Sequence, residues 1–169
     1  MTNSRSSNKD LPKLKRILVV GNGGREDALA WALIKCTDIE HVWVAPGNGG
    51  TTNHPRCSRL EIKTNDCKSL IQASLANKID LIVIGPEKPL SEGLADELRD
   101  AGLVVFGPGA NGAQLEASKT WAKNLMLDAE VPTAKHWSVE TKEEALKVLK
   151  KQKCPLVVKA DGLAAGKGV

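Results

Sequence analysis

The sequence predicts an α/β protein whose N-terminal part is a parallel sheet covered by helices on both faces. Short runs that are apolar at every position alternate with helical patterns, which is typical of strands buried on both faces. Loops rich in glycine and proline follow these runs at once, as at the carboxyl ends of strands in an open sheet. We expect a polar, disordered tail over residues 1–14, a domain over 15–110 and a second, incomplete domain over 111–169.

The first half of the domain supplies three strand candidates. Arg16–Val20 is an apolar run, followed by the glycine-rich segment 21–24 and by a helical pattern through Cys36. His41–Ala45 is the second run. A short third strand is expected over 60–62.

The second half of the domain continues the alternation. A helix is expected over 66–77, with Asp66 as its N-cap. Asp80–Ile84 is the clearest buried strand of the chain. A helix over 91–101 and a last strand over 103–106 complete the domain.

Beyond the domain the pattern changes to a mixed set of elements. Ser118–Ala129 is expected to be a helix with its first residue as N-cap, and 141–151 a second helix. A further element is expected over 134–139. The apolar run over 156–159 predicts a buried strand that ends in a lysine.

Composition excludes several classes of function. The net charge of +4 is small, lysines and acids interleave, and one Phe and no Tyr are present, so nucleic-acid binding is not predicted. No apolar run approaches the length of about 20 residues that a membrane span needs. The polar start has no apolar segment typical of a secretory signal. The four cysteines form no C-x-x-C pair, which favours reduced thiols in a cytoplasmic protein over disulfides or zinc.

Three loops at strand ends have the content of a ligand site. The loop 21–27 places glycine backbone at a helix N-terminus, which attracts anions, and adds Arg25. The loop after the second strand contains Asn48, which is equally suited to an ordinary turn. The loop after the fourth contains Glu87, a carboxylate that either binds a ligand amine or hydroxyls or faces solvent. Because parallel strands end at one edge of a sheet, we expect a phosphorylated ligand there.

The glycine loop also raises the alternative of a dinucleotide site. The G-x-G-x-x-G fingerprint needs a glycine where this chain has Glu26. The acidic ribose ligand expected after the second strand is replaced by Ala45-Pro46. We therefore favour a smaller phosphorylated ligand over NAD. A structural alternative, in which the glycines only allow close packing of helix and strand, stays open.

Lysines indicate a second ligand site, for a nucleotide, in the C-terminal part. Lys119 at the start of a helix opposes the helix dipole, which indicates that it faces an anion. Lys159 ends an apolar run, and Lys167 lies in the glycine-rich loop that follows, where it is equally suited to be an ordinary mobile charge. Small residues let such a loop approach phosphates closely, and lysines neutralise them as compact charges.

From about Arg16 to its end, the chain resembles the glycinamide ribonucleotide synthetase family, the phosphoribosylamine–glycine ligases. The matching stretches are Val20–Glu26, Ala45–Asn48, Gly85–Glu87 with Pro89-Leu90, Gln114–Lys119, Val131–Ala134 and Val158–Val169. The last stretch is strongly characteristic, and the set is specific. The resemblance implies an N-terminal domain of the type that precedes ATP-grasp domains, followed by the truncated start of an ATP-grasp region.

The resemblance also implies an activity. The family ligates glycine to 5-phosphoribosylamine in purine biosynthesis and converts ATP to ADP and phosphate, with glycyl phosphate as the intermediate. The implied partners are small molecules, namely glycine, phosphoribosylamine and ATP with Mg²⁺ or Mn²⁺, and neither nucleic acid nor membrane. The protein's task is then positioning and charge neutralisation around phosphoryl transfer.

Position in the matching stretches assigns the residues of both sites. The resemblance implies that the phosphoribosyl and amine group is bound by Gly23, Gly24, Arg25, Glu26, Asn48 and Glu87. It implies that the ATP phosphates are bound by Lys119 and Lys159 and covered by a loop with Gly162, Gly166, Lys167 and Gly168. It assigns no catalytic residue and no metal ligand within this sequence.

Two departures from the family limit these assignments. The family usually has histidine where this chain has Asp27, so a contact from that imidazole is not carried over. The family's metal ligands and adenine pocket belong to segments that this sequence lacks. We therefore expect this polypeptide alone to release no ADP above background from ATP, glycine and phosphoribosylamine.

Two alternative functions stay open at this point. The chain can belong to another ATP-grasp ligase or carboxylase, or it can be a non-catalytic domain that binds a phosphorylated metabolite. In either case half of an ATP-grasp sheet leaves strand edges unpaired. We therefore expect the part after Ser118 to be poorly ordered.

Overall fold

A computed structural model describes residues 13–164 of the chain, in two compact units. Of these residues, the first unit holds 13–86 and 94–107, and the second holds 87–93 and 108–164. Most of the expected tail, residues 1–12, lies outside the described range. Within that range, no helix is both long enough and apolar enough to cross a membrane.

The first unit is built on a five-stranded parallel sheet, as the sequence predicts. Its strands are β1 (Arg16–Gly21), β2 (His41–Pro46), β3 (Cys57–Arg59), β4 (Leu81–Ile84) and β5 (Val105–Phe106). The order across the sheet is β3-β2-β1-β4-β5, with every pairing parallel. From β1 the chain adds β2 and β3 on one side and then β4 and β5 on the other. The point where the strand order reverses lies beyond the carboxyl ends of β1 and β4, where open sheets bind ligands.

Helices alternate with these strands and continue into the second unit. They are α1 (Gly24–Leu33), α2 (Cys67–Ala76), α3 (Glu87–Ser91), α4 (Leu94–Asp100), α5 (Ala110–Ala117), α6 (Lys119–Asp128) and α7 (Lys142–Lys151). A single 3₁₀ turn over Thr51–Asn53 follows β2. The helices α1, α2 and α4 belong to the first unit and the other four to the second.

The core of the first unit is centred on β1. Its residues from Ile17 to Val20 are at most 1% exposed, and Val42 and Val44 on β2 are equally buried. Ala30 of α1 packs on the same cluster. The apolar runs are therefore strands covered on both faces, which is why they lack polar alternation.

Two predicted strands of the first unit are wrong in position or length. The strand expected over 60–62 lies at Cys57–Arg59, where it pairs with Val42–Val44 of β2. It begins right after Arg56, whose φ of +58° turns the chain into the sheet. The strand expected over 103–106 is reduced to Val105–Phe106, because only these two residues are in register with β4.

The helix expected over 91–101 is also wrong, since two short helices occupy this part of the chain. Gly93 has a φ of +93° and donates its N–H to the carbonyl of Leu90, which ends α3. The second helix, α4, then begins at Leu94. Pro89 lies in the first turn of α3, where proline needs no hydrogen-bond partner.

The second unit contains both of its predicted helices. Ser118 caps α6 by accepting a hydrogen bond from the Trp121 amide at 3.1 Å, and Thr141 caps α7 in the same way. The sequence did not predict α5, because its Asn and Gly residues favour turns over helices. The segment 134–139 has no regular secondary structure.

The buried strand predicted over 156–159 is wrong. Val157 and Val158 are 70% and 76% exposed, and within the described part of the second unit this segment pairs with no strand. Apolar residues become a strand only where a neighbouring strand satisfies their backbone hydrogen bonds.

Amide hydrogen exchange should separate this segment from the sheet. We expect the amides over 156–159 to exchange at nearly unprotected rates, because their backbone has no ladder partner. The amides of Leu81–Ile84 should be among the slowest, since β4 is paired on both sides. Equal protection of the two segments in an exchange experiment read by NMR or mass spectrometry would contradict this expectation.

Candidate functional site

The first candidate site lies at the carboxyl ends of β1 and β4, at the switch point of the sheet. Gly21 ends β1 with a φ of +139°, Gly23 is the N-cap of α1, and Gly24 is its first residue. The first N–H groups of a helix have no acceptor within the helix, and the helix dipole attracts anions to them. The glycine loop therefore offers an anion the backbone of a helix N-terminus.

Glu26 is buried under this loop and shapes it. The residue is 3% exposed, and its carboxylate accepts hydrogen bonds from the Gly23 amide and from Arg25 Nε, both at 2.8 Å. A Cβ atom on Gly21 would lie 2.3 Å from Glu26 Cγ, and one on Gly85 would lie 2.1 Å from Glu26 Oε1. Both glycines are needed because the Glu26 side chain fills the space beside them. The side chain of Arg25, which is paired with Glu26, is half-exposed.

Asn48 joins the loop after β2 to the glycine loop. Its Nδ2 donates to the carbonyls of Asn22 at 3.2 Å and Gly23 at 3.3 Å. Its Oδ1 accepts from the Gly50 amide at 2.8 Å. Both polar atoms of the Asn48 side chain therefore have protein partners, and the residue braces the two loops against each other.

Glu87, also predicted for this site, belongs to the second unit. It is the first residue of α3, and Pro89 and Leu90 behind it are buried. The carboxylate expected in a loop therefore stands in the first turn of a short helix.

The second candidate site is a cavity of about 460 Å³ in the second unit. Ligand pockets in proteins usually have volumes of about 300–1,000 Å³. Lys119 and Lys159, the two lysines predicted to share a ligand, both line this cavity. Folding therefore brings two distant cations to one concave surface.

Other residues that line the cavity had no role in the sequence prediction, among them Lys123, His136 and Trp137. Lys123 follows Lys119 by one helical turn of α6, and this i, i+4 spacing is the signal that predicts a shared face. Its Nζ donates to the carbonyl of Ala134 at 3.0 Å. His136 and Trp137 lie in a segment without regular structure, so no periodicity in the sequence indicates which way they point.

Asp161 closes the N-terminus of α6 beside the cavity. Its carboxylate accepts hydrogen bonds from the Lys119 amide at 2.6 Å, from Ser118 Oγ at 3.1 Å and from the Gly162 amide at 2.9 Å. Lys119 Nζ in turn donates to the Gly162 carbonyl at 2.9 Å. The start of the glycine-rich loop is therefore fixed to α6 through both ends of Lys119.

The carboxyl group of Asp161 should titrate at unusually low pH. Desolvation raises its pKa, but the hydrogen bonds, first from the Gly162 amide and then from the Lys119 amide, outweigh this effect and bring the pKa to about 2. Because the folded-state pKa is lowered, the carboxylate stabilises this contact above the ordinary pKa of about 3.9 and loses the effect as the pH falls towards 2.

An NMR titration of the side-chain carboxyl carbons measures this pKa directly. We expect Asp161 to titrate well below an exposed aspartate without these hydrogen bonds. A normal midpoint for Asp161 would show that its contacts with α6 do not persist in solution.

The chain shows no metal centre in the part that the structure describes. Residues 13–164 contain no group of three His, Cys, Asp or Glu side chains that could hold an ion. Of the predicted covering loop, Gly162 is described, whereas Gly166, Lys167 and Gly168 lie outside the described residues.

The sequence matches two consecutive family models over residues 15–169. Residues 15–116 match "Phosphoribosylglycinamide synthetase, N domain" and residues 117–169 match "Phosphoribosylglycinamide synthetase, ATP-grasp (A) domain". The chain is 50% identical over 154 residues to a phosphoribosylamine–glycine ligase of Nostoc sp. and 46% identical to that of Escherichia coli K12. Each alignment covers 91% of this chain and 36% of the relative, so the chain spans about a third of the relatives' length.

Solved structures with a similar fold include ATP-grasp carboxylases. The biotin carboxylase domain of Hydrogenobacter thermophilus 2-oxoglutarate carboxylase, solved with MgADP, ADP and bicarbonate, gives a TM-score of 0.67 at 18% identity over 91% of this chain and 36% of its own. A structure titled glycinamide-RNase-transformylase T from Mycobacterium tuberculosis gives 0.57 at 16% identity, over 90% of this chain and 44% of its own. At these identities the likeness shows the fold alone.

Proposed function

The chain belongs to the phosphoribosylglycinamide synthetase family, and from this we propose that it takes part in the ATP-dependent ligation of glycine to 5-phosphoribosylamine. In this reaction ATP phosphorylates the glycine carboxylate, which gives glycyl phosphate and ADP. The ribosylamine nitrogen then attacks the carbonyl carbon and loses a proton, phosphate leaves, and glycinamide ribonucleotide is formed. The four free cysteines support a reducing, cytoplasmic location for this chemistry.

In this proposal the first unit binds the phosphoribosyl group. The N-terminus of α1 at Gly23 and Gly24 takes the phosphate, with Arg25 as its cation. Glu26 and Asn48 act by holding this loop in shape, since their side-chain hydrogen bonds are made to the protein. The role expected of Glu87, which belongs to the second unit, stays a prediction.

The second unit binds the phosphates of ATP. Lys119 and Lys159 neutralise phosphate charge in the cavity, and the glycine-rich loop that begins at Gly162 is the cover expected from the family resemblance. Asp161 fixes the start of that loop. Charge neutralisation and positioning are the main requirements of phosphoryl transfer, and a divalent cation, Mg²⁺ or Mn²⁺, supplies additional charge stabilisation when it is bound with ATP.

The observation that carries the proposal is the presence of both predicted lysines on one cavity in a chain of this family. The sheet edge adds a second, separate anion site, as a reaction with two phosphorylated substrates requires. An ATP-grasp carboxylase has no reason to discriminate a phosphorylated ribose, whereas a non-catalytic domain that binds a phosphorylated metabolite would share that property.

Calorimetric titration of the chain with ribose 5-phosphate, a stable analogue of phosphoribosylamine, tests the proposal. We expect saturable binding of one molecule, which excess inorganic phosphate displaces and unphosphorylated ribose does not. Absence of ribose 5-phosphate binding at millimolar concentrations would overturn the assignment of the first site. Stronger binding of a dinucleotide such as NAD would favour the alternative reading of the glycine loop.

A further inference from the structure

Asp27 and His54 form a contact that joins two loops of the first site. Asp27 lies in the first turn of α1, and His54 follows the 3₁₀ turn after β2. The imidazole Nε2 lies 3.3 Å from both carboxylate oxygens of Asp27. The two side chains keep 28% and 19% of their surface exposed, so the carboxylate is fixed in position and still accessible.

The Asp27 carboxylate and the Asn48 side chain both lie next to Gly50. A Cβ atom on Gly50 would lie 3.3 Å from Asp27 Oδ1 and 3.2 Å from Asn48 Oδ1. Two polar side chains from different loops therefore flank a residue that has no side chain of its own. The space left open by Gly50 borders the glycine loop through Asn48, which donates to the Gly23 carbonyl.

Charge decides which part of a phosphorylated sugar such a carboxylate can face. Two negative groups a few ångströms apart repel each other, so Asp27 disfavours a phosphate in direct contact. An ionised carboxylate only accepts hydrogen bonds, and the hydroxyl groups of a sugar donate them. The phosphate therefore belongs at the α1 N-terminus with Arg25, and the sugar ring belongs on the side of Asp27.

We propose that Asp27, oriented by His54, binds the sugar hydroxyl groups of the phosphoribosyl substrate in this chain. This inference rests on the proposed function of the first site. The contact between Asp27 and His54 places an imidazole beside the carboxylate. His54 is a positioning residue, because its ring contacts the carboxylate from the side and holds both oxygens.

The test compares two ligands in one variant. Asp27→Asn preserves the size of the side chain but removes the charge and one acceptor, so it should weaken ribose 5-phosphate binding about tenfold or more. Inorganic phosphate, which lacks hydroxyls on a sugar, should bind the variant as well as the wild-type chain, or slightly better. Glu61→Gln, at an acid whose side chain is 75% exposed, is the matched control and should change neither affinity.

Two substitutions at His54 test whether this residue orients the Asp27 carboxylate or only stabilises the fold. His54→Ala should weaken ribose 5-phosphate binding by a smaller factor than Asp27→Asn. His54→Gln retains a hydrogen-bond donor and should therefore recover part of the affinity that His54→Ala loses. The melting temperature of each variant should stay close to that of the wild-type chain if the sheet is intact. A merely structural contact would instead lower both ligand affinities together.

The outcomes distinguish this inference from the proposed function. Ribose 5-phosphate affinity that is unchanged in Asp27→Asn, or reduced equally for both ligands, would overturn the role of Asp27 while leaving the phosphate site in place. Failure of the wild-type chain to bind either ligand would overturn the proposed site itself and this inference with it. Loss of ribose 5-phosphate binding alone, with phosphate binding retained, supports both.

Discussion

Replacing Gly85 with alanine is expected to destabilise the first unit by about 3 kcal/mol, the upper range for overpacking a buried position. A Cβ atom there would lie 2.1 Å from Glu26 Oε1 and 2.6 Å from its Cδ, far inside van der Waals contact. Glu26 is 3% exposed and its carboxylate already holds the Gly23 amide and Arg25. The side chain therefore has no free direction in which to move without losing a hydrogen bond.

A double-mutant cycle identifies the cause. Glu26→Ala alone should cost about 2 kcal/mol, because it leaves the Gly23 amide and Arg25 without their acceptor. Combined with Gly85→Ala, it should cost clearly less than the sum of the two single changes, since the methyl group at position 85 then enters vacated space. Additive effects would show that the clash is not with Glu26.

Native-state hydrogen exchange at the amides of β1 is the appropriate measurement. It reports the free energy of opening of the first unit without assuming that both units unfold together. Gly49→Ala is the matched control, because a Cβ atom on Gly49 meets no atom within 4 Å. Its effect should stay within about 0.5 kcal/mol.

The role of Glu26 shows where sequence reasoning reaches its limit. In the sequence, Glu26 breaks a dinucleotide fingerprint and is assigned to substrate binding through its matching stretch, but nothing there indicates that it is buried under the glycine loop. Its burial depends on Gly85, which is far away in the chain and adjacent only because β1 and β4 pair. The three central strands β1, β2 and β4 were predictable, because burial on both faces leaves a continuous apolar run that needs no partner to be recognised.

The segment over 156–159 shows the opposite limit. It has the same apolar composition as the strands of the sheet, yet Val157 and Val158 are exposed. Composition indicates that a segment suits a strand, but the hydrogen-bonding partner decides whether it becomes one. Lys159 nevertheless lines the same cavity as Lys119, with which the matching stretches group it, although the buried strand expected before it does not form.

Removing the charge of either cavity lysine is expected to weaken the binding of polyphosphates by about tenfold or more, the usual effect of losing a hydrogen bond to a charged group. Lys119→Ala should have the larger effect, because Lys119 also joins Gly162 to α6, whereas no such link is observed for Lys159 among residues 13–164. Lys159→Ala should therefore lose affinity without loosening the loop. The probes are ADP and inorganic tripolyphosphate, titrated into the chain and followed by NMR shifts of its amides.

Lys150→Ala provides the control, since Lys150 lies in the last turn of α7 and does not line the cavity. If the two lysines act on the same phosphates, the double variant should bind polyphosphates only slightly more weakly than the weaker-binding single variant. The reason is that the loss of one contact already displaces the ligand from the other. Wild-type affinity in both single variants would remove the cavity from the proposed ATP site. An equal loss in Lys150→Ala would show that polyphosphates bind through net charge rather than through these two positions, because attraction by net charge is shared by all surface lysines.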